Sequence, residues 1–166
     1  AHHDIHVSAE DIVVTPGAKQ AMLYSFLITT MPGDEVILLA PSWASYEPML
    51  EFIGAKPVHV QVRKDNFHPD LDAIKNAITE RTKMILINSP CNPTGAVFTP
   101  EEIEGILDIA TENDLWIVSD EIYSRMVWVD WPHVSPASLP GGSERTIVVN
   151  GWSKSWAMTG MRLGFI

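Results

Sequence analysis

One lysine near the end of the chain stands where a strand gives way to a polar turn. Residues 146–149 (TIVV) are rich in β-branched side chains, which predicts a short buried strand, and Lys154 lies in the turn that follows. A lysine amine that is held out of water or beside other cations loses its proton more easily and can attack carbonyl groups. On this stretch alone an ordinary exposed lysine is the simpler interpretation. Chemistry at Lys154 therefore depends on what lies at the ends of the other strands.

Those strand ends carry a set of polar, charged and aromatic residues. In chain order the set consists of Gly17, Ala18, Lys19, Ser42, Trp43, Asn88, Asn92, Asp120, Tyr123, Ser153, Lys154 and Arg162. Open α/β sheets bind ligands at the carboxyl ends of their strands. The set contains a helix N-terminus and cations, which suit a phosphate. It also contains an aromatic ring, a carboxylate, phenol and amide groups, and an amine. These are the groups required to hold pyridoxal phosphate as a lysine Schiff base.

The elements that must position these residues alternate between strands and helices. We predict strands over residues 11–15, 35–40, 56–62, 83–88, 115–119, 146–149 and 162–166, and helices over 18–31, 44–52, 71–78 and 100–112. The strand runs are apolar on both faces, which is typical of a mostly parallel sheet covered on both sides. The predicted fold is a three-layer α/β/α sandwich whose seven-stranded sheet has one antiparallel strand, the last. No linker divides the chain, so we expect a single domain over residues 1–166.

Local signals sharpen four of these elements. Asp70 is the expected N-cap of the third helix, and Thr99 with Glu102 forms a capping box around Pro100 at the start of the fourth. Residues 56–62 alternate and contain a proline, which suits the edge of a sheet. Residues 18–31 are apolar enough to predict a buried helix. Residues 124–145 are rich in proline and glycine and are predicted to form a long connection that includes a short helix or strand.

Composition excludes several classes of partner. The chain has 166 residues, 46% of them hydrophobic and 19% charged, and a net charge of −10. Such acidity argues against binding to nucleic acid or to acidic membranes, and no apolar run reaches the roughly 20 residues of a membrane span. The single cysteine, Cys91, fits a reducing compartment such as the cytoplasm. We predict no metal site and interpret His2, His3 and His6 as part of a frayed terminus.

Five blocks of sequence carry a resemblance to a known family. The chain resembles the large domain of the class I/II aminotransferases, pyridoxal-phosphate enzymes of fold type I with the aspartate-aminotransferase fold. The blocks are VTPGAKQA (residues 14–21), PGDEVILLAPSWASYEPM (32–49), NSPCNPTGAVF (88–98), SDEIY (119–123) and SKSWAMTGMRLG (153–164). Their order and spacing match the family across nearly the whole chain after residue 10.

The resemblance implies roles for three catalytic residues. Lys154 would form the Schiff base and then move a proton between the substrate Cα and the cofactor. Asp120 would pair with the pyridine N–H, with a helix cap or surface acid as the alternative interpretation. Tyr123 would bind the cofactor's phenolate oxygen together with Asn92, which could instead serve only to form a turn.

The other implied cofactor contacts surround the ring and the phosphate. Trp43 would stack on the pyridine face, although six tryptophans in the chain make a core role a serious alternative. The phosphate would be held by Gly17, Ala18, Lys19, Ser153 and Arg162. Cys91 is interpreted as a packing residue of its turn.

The function implied is amino-group transfer from an amino acid to a 2-oxo acid by a ping-pong mechanism. Family members are more than twice as long, so we expect a large-domain fragment in which the small domain is absent at both ends, with self-association as a homodimer or higher assembly. A non-catalytic pyridoxal-phosphate-binding or regulatory domain is the alternative. Related C–S lyases and decarboxylases share these motifs, so they remain alternatives for the chemistry.

Overall fold

A seven-stranded sheet forms the centre of the computed structural model, which describes residues 4–166. The strands are β1 (Val14–Thr15), β2 (Glu35–Ala40), β3 (Lys56–Gln61), β4 (Thr82–Asn88), β5 (Trp116–Asp120), β6 (Thr146–Gly151) and β7 (Gly164–Phe165). Their spatial order is β1-β7-β6-β5-β4-β2-β3. The pairs from β3 to β6 are parallel, whereas β7 is antiparallel to both β1 and β6. The predicted mostly parallel sheet with an antiparallel last strand is confirmed.

Four helices cover the two faces of this sheet. They are α1 (Ala18–Thr29), α2 (Tyr46–Phe52), α3 (Leu71–Ala77) and α4 (Pro100–Glu112). Alternate residues of β2 enter different cores: Val36 packs in a cluster with residues of α1 and α2, and Ile37 packs in a cluster with residues of α3 and α4. This alternation is the geometry of a strand buried on both faces, and it gives the predicted three layers.

The helix starts follow the local chemistry of the chain. The Asp70 side chain accepts a hydrogen bond from the Ala73 N–H at 3.0 Å, as an N-cap does. Thr99 accepts from the Glu102 N–H at 3.3 Å, and its own N–H donates to the Glu102 carboxylate at 2.9 Å. Both predicted caps are confirmed. They fix where α3 and α4 begin.

Several predicted boundaries are wrong at their ends. The first strand keeps only two residues, because Ala9–Asp11 forms a short 3-10 turn instead. The second helix begins at Tyr46 rather than at residue 44, and β6 continues to Gly151, where it pairs with β7. The connection over residues 124–145 contains two 3-10 turns, Pro136–Ser138 and Gly142–Glu144.

Helix α1 is buried on one side only, so the prediction of a buried helix is wrong. Met22 and Phe26 are buried against the sheet, whereas Leu27 and Ile28 are 51% and 70% exposed. The physical reason is that the sheet and α2 contact a single stripe of the helix, and an apolar composition does not reveal which sides receive a partner. At the other edge, β3 pairs only with β2 among the described strands, as its alternating pattern predicts.

None of the helices within residues 4–166 is long and apolar enough to cross a membrane.

Candidate functional site

A cavity of about 220 Å³ opens where the parallel strands β4, β5 and β6 end. Its lining residues come from the segments that follow β1, β2, β4, β5 and β6. They are Ala18, Lys19, Trp43, Tyr46, Asn88, Asn92, Asp120, Ile122, Tyr123, Ser153, Lys154, Thr159 and Arg162. Nine of the ten residues predicted from the sequence to bind a cofactor line this cavity. The tenth, Gly17, lies directly beneath the Arg162 guanidinium group.

The Asp120 carboxylate lies at the end of β5 and is held by two donors. The Tyr46 hydroxyl donates to Asp120 Oδ2 at 2.6 Å, and the Ile122 N–H donates to Oδ1 at 3.2 Å. Asp120 and Tyr46 are 5% and 1% exposed. One charge-bearing group is therefore fixed in an almost dry environment, and an acceptor lone pair remains available toward the cavity.

Burial raises the pKa of Asp120 to about 6, and the negative charge of Glu121 acts in the same direction. The hydrogen bonds from Tyr46 and Ile122 oppose this rise but do not cancel it. Burial and the Asp120 charge likewise raise the pKa of the Tyr46 hydroxyl well above its usual value, so Tyr46 stays protonated and acts as a donor. A cation placed against Asp120 would favour its ionised form.

Two asparagines connect the end of β4 to the end of β5. The Asn88 side-chain amide donates to the Asp120 carbonyl oxygen at 2.9 Å, and its oxygen accepts from the Asn92 N–H at 2.8 Å. The Asn92 side chain forms a hydrogen bond with Tyr123, which opposes the rise that burial causes in the pKa of the Tyr123 phenol. Asn92 and Tyr123 thus lie side by side at the cavity wall, with their polar ends held together.

The N-terminus of α1 and Arg162 form a cationic corner of the cavity. Gly17 has φ of 90°, and a Cβ atom there would lie 2.3 Å from Arg162 Nη2, so only glycine allows this approach. Arg162 itself is left-handed, with φ of 51°, and its Nη1 donates to the Thr159 carbonyl oxygen at 3.0 Å. The first N–H groups of a helix lack intrahelical acceptors and attract anions. The corner is therefore suited to a phosphate group.

The loop after β6 places a hydroxyl and an amine at the same corner. Ser153 is buried, and its carbonyl oxygen accepts from the Thr159 hydroxyl at 3.1 Å. The loop is closed by the Ala157 N–H, which donates to the Lys154 carbonyl oxygen at 3.1 Å. Lys154 is exposed and lines the cavity, so its amine can reach a ligand held there.

Lys19 contacts an aromatic wall of the cavity. Its Nζ lies 5.6 Å from the centroid of the Trp43 ring and 3.4 Å from the Ser45 hydroxyl oxygen. Trp43 in turn meets the Tyr46 ring edge-on at 5.2 Å. The ammonium group thus lies against Trp43, and Lys19 would serve a phosphate chiefly through its backbone N–H.

Sequence reasoning missed Tyr46, which donates to Asp120 across 74 positions of the chain. Its only sequence signal is a tyrosine three residues after Trp43 at the start of an apolar helix, which predicts a core side chain equally well. Thr159 and Ile122 were also missed, because each contributes to the cavity through the shape of its loop. Within residues 4–166, no group of three or more acidic, histidine or cysteine side chains is placed to hold a metal ion. His2 and His3 lie outside the described residues.

Taken together, the donor set fits pyridoxal phosphate group by group. A dianionic phosphate matches the α1 N-terminus with Ser153 and Arg162, and a protonated ring nitrogen matches the buried Asp120 carboxylate. The gap over Gly17 that a Cβ would fill is occupied by the guanidinium of Arg162, so the cationic corner already exists in the chain alone.

Comparisons with known proteins agree on one family. A family model described as aminotransferase class I and II matches residues 1–166. The aspartate aminotransferase of Musicola paradisiaca is 44% identical to this chain over 97% of its residues. The aspartate aminotransferase of Pyrococcus abyssi is 46% identical over 95% of the chain. This chain spans only 41% of the length of each of these relatives.

Solved structures give the same answer. A mutant aspartate aminotransferase of Thermus thermophilus superposes with a TM-score of 0.95 at 41% identity, covering 99% of this chain and 45% of the other. The aromatic aminotransferase of Pyrococcus horikoshii gives a TM-score of 0.96 at 43% identity, covering 99% of this chain and 44% of that one.

Proposed function

Since the chain belongs to the class I and II aminotransferase family, we propose that it is the cofactor-binding domain, residues 1–166, of a pyridoxal-phosphate-dependent aminotransferase. The reaction proposed is the transfer of an amino group from an amino acid to a 2-oxo acid. The single observation that carries this proposal is the cavity in which Asp120, Tyr123, Lys154 and Arg162 meet. All four of these side chains are ionisable, and a purely structural domain has no need to gather them at one edge of its sheet.

The polar residues around the proposed ring position have separate roles in this proposal. Lys154 is the attachment point for the cofactor's aldehyde and afterwards carries the proton that leaves the substrate Cα. Asp120, held by Tyr46, pairs with the ring N–H. Asn92 and Tyr123 hydrogen-bond the ring oxygen. When bound, the cofactor supplies an electron-accepting ring, which is the chemistry that none of these side chains provides.

The phosphate group has its own set of contacts. The backbone N–H groups of Ala18 and Lys19 and the Ser153 hydroxyl donate to it, and Arg162 adds a planar charged fork. Gly17 leaves room for that fork. Trp43 flanks the ring, and the contact between Lys19 and the Trp43 ring keeps the indole in place.

Assembly and location extend the proposal. The chain would self-associate as a homodimer or a larger assembly, and the exposed apolar residues Leu27 and Ile28 of α1, with Met31 just after the helix, support this. A cytoplasmic location in amino acid metabolism is supported by the free thiol of Cys91, since reducing compartments keep thiols unpaired.

Attachment of the cofactor to Lys154 is the test of this function. The chain is incubated with pyridoxal phosphate, reduced with borohydride, digested and mapped by mass spectrometry. We expect the label on Lys154, because its amine reaches the cavity that also contains the phosphate donors. The Lys154→Ala variant is the control and should retain no label in this peptide. A label on Lys19, or an unlabelled wild-type chain, would contradict the proposal.

A further inference from the structure

Immediately after Asp120, a second carboxylate is buried that the proposed function does not use. Glu121 is 0% exposed, and its backbone N–H continues the β5–β6 pairing by donating to the Val149 carbonyl oxygen at 2.8 Å. Asp120 lines the cavity, whereas Glu121 does not. Successive side chains of an extended chain point to opposite faces, so Glu121 lies behind Asp120, on the far side of the sheet edge.

The Glu121 carboxylate is the centre of a small polar cluster. Its Oε1 accepts from the Ser119 hydroxyl at 3.0 Å and from the Ser135 hydroxyl at 2.5 Å. Its Oε2 lies 3.2 Å from Nε2 of His133, whose side chain is only 5% exposed. The cluster therefore joins the end of β5 to the connection over residues 124–145, which has no long helix to hold it.

A buried carboxylate needs compensation, and His133 is the group able to provide it. Desolvating a charge costs several kcal/mol unless a partner of opposite charge and hydrogen bonds replace the water. With His133 protonated, the two side chains are together neutral. With His133 neutral, a full negative charge remains next in sequence to Asp120.

We propose that Glu121 and His133 act as a pair of positioning residues that hold the Asp120 segment in place and set the charge behind it. The pair thereby controls how readily Asp120 remains ionised. This proposal rests on the proposed function only in taking the ring nitrogen of the cofactor as the group that Asp120 meets. The Glu121 charge is one cause of the raised pKa of Asp120, as this arrangement requires.

Other ionisable groups also surround Asp120, and the test must hold them constant. They are Tyr46 from α2, Tyr123 after β5, Cys91 near Tyr46, and Lys19, Lys154 and Arg162 across the cavity. None of them is changed by a substitution at Glu121 or His133. A difference between the variants therefore reports the pair itself.

The experiment measures the titration of Asp120 in the cofactor-free chain by NMR of ¹³C-labelled aspartate carboxyl groups, with Asp120→Asn to assign the signal. Glu121→Gln should lower the titration midpoint by about half a pH unit or more, because it removes a nearby negative charge. His133→Gln should raise the midpoint, because it removes the imidazole that lies 3.2 Å from Glu121 Oε2 and is able to compensate its charge. The two shifts have opposite signs, which a purely structural role would not produce.

Ser135→Ala is the matched structural control. It removes one hydrogen bond from the Glu121 carboxylate without changing any charge, so it should lower the thermal midpoint and leave the Asp120 titration within about 0.2 pH unit of wild type. A larger shift in this control would overturn the electrostatic reading, since packing alone would then move Asp120.

The proposal is overturned if Glu121→Gln leaves the Asp120 midpoint unchanged, or if both substitutions move it in the same direction. Should Glu121→Gln fail to fold, His133→Gln decides alone: a raised midpoint supports the pair, and an unchanged or lowered one refutes it. Pyridoxal phosphate binding is measured separately. Failure to bind would refute the proposed function, while the titration of the cofactor-free chain would still decide the role of Glu121 and His133.

Discussion

Replacing Tyr46 by phenylalanine tests how the Asp120 carboxylate is held. The substitution removes one hydroxyl and keeps the ring, so the edge-on contact with Trp43 at 5.2 Å is preserved. What is lost is the 2.6 Å hydrogen bond to Asp120 Oδ2. Asp120 Oδ2 then remains buried without the hydrogen bond that the Tyr46 hydroxyl donates to it.

The expected loss follows from the charge of the acceptor. A hydrogen bond to an ionised group contributes about 1.5–3 kcal/mol, and one between neutral groups about 0.5–1.5 kcal/mol. Asp120 has a pKa of about 6, so it is ionised at pH 8 and largely neutral at pH 5. The Tyr46 hydrogen bond lowers that pKa, and its removal raises it further. The destabilisation should therefore grow as pH rises through 6.

The assay is urea denaturation of the cofactor-free chain at pH 5 and pH 8. Tyr46→Phe should lower the free energy of unfolding by about 1.5–3 kcal/mol at pH 8, and by roughly half as much at pH 5. Tyr24→Phe is the matched control: it removes the same hydroxyl from an exposed site on α1 and should change stability by less than about 0.5 kcal/mol at either pH. An equal loss at both pH values would refute the reasoning, because it would show that the hydroxyl does not sense the charge of Asp120.

Two further predictions concern Asp120 and the cationic corner. The folded-state pKa of Asp120, about 6, exceeds its ordinary value of 3.8, so its contribution to stability is present below pH 3.8 and is lost as pH rises through 6. Urea denaturation should show the wild-type chain losing about 2 kcal/mol relative to Asp120→Asn between pH 4 and pH 7, and parallel curves would contradict this. Gly17→Ala should displace Arg162 and weaken pyridoxal phosphate binding by on the order of tenfold, the equivalent of one charged hydrogen bond. Gly33→Ala is its control in a binding titration, since Gly33 also has positive φ but has no neighbour within 4 Å of an added Cβ, and equal losses in the two variants would show that Arg162 is not involved.

The sheet and the chemistry of the strand ends could be predicted because local signals repeat along the chain. Each strand is an apolar run with a polar turn after it, and right-handed crossovers bring parallel strand ends to one edge. That rule alone predicts that Asp120, Asn92 and Lys154 lie near one another. Boundaries failed where pairing rather than composition decides them, as in β6, which runs to Gly151 because β7 pairs with it.

Contacts between distant parts of the chain were beyond the reach of sequence reasoning. Tyr46 and Asp120 meet only because β4 lies between β2 and β5 in the sheet, and no local pattern in the sequence predicts this strand order. The Glu121–His133 contact has the same origin, since a proline-rich connection gives no periodicity from which to place His133. The exposed side of α1 is the third case, because amphipathicity predicts a buried face only when apolar residues are confined to one.

The raised pKa of Asp120 links ligand binding in the cavity to the stability of the folded chain. At neutral pH the cofactor-free chain keeps an ionised carboxylate in an almost dry position, and this lowers the stability of the folded state. A cationic ring nitrogen would pair with that carboxylate, and a phosphate would offset the cationic corner formed by Arg162 and the α1 N-terminus. A ligand that binds only the folded chain stabilises it by mass action, and here it also removes an electrostatic penalty already present. The Asp120 carboxylate that lowers the stability of the folded chain is thus the group that would select the cation of a ligand, and Arg162 with the α1 N-terminus would select its phosphate.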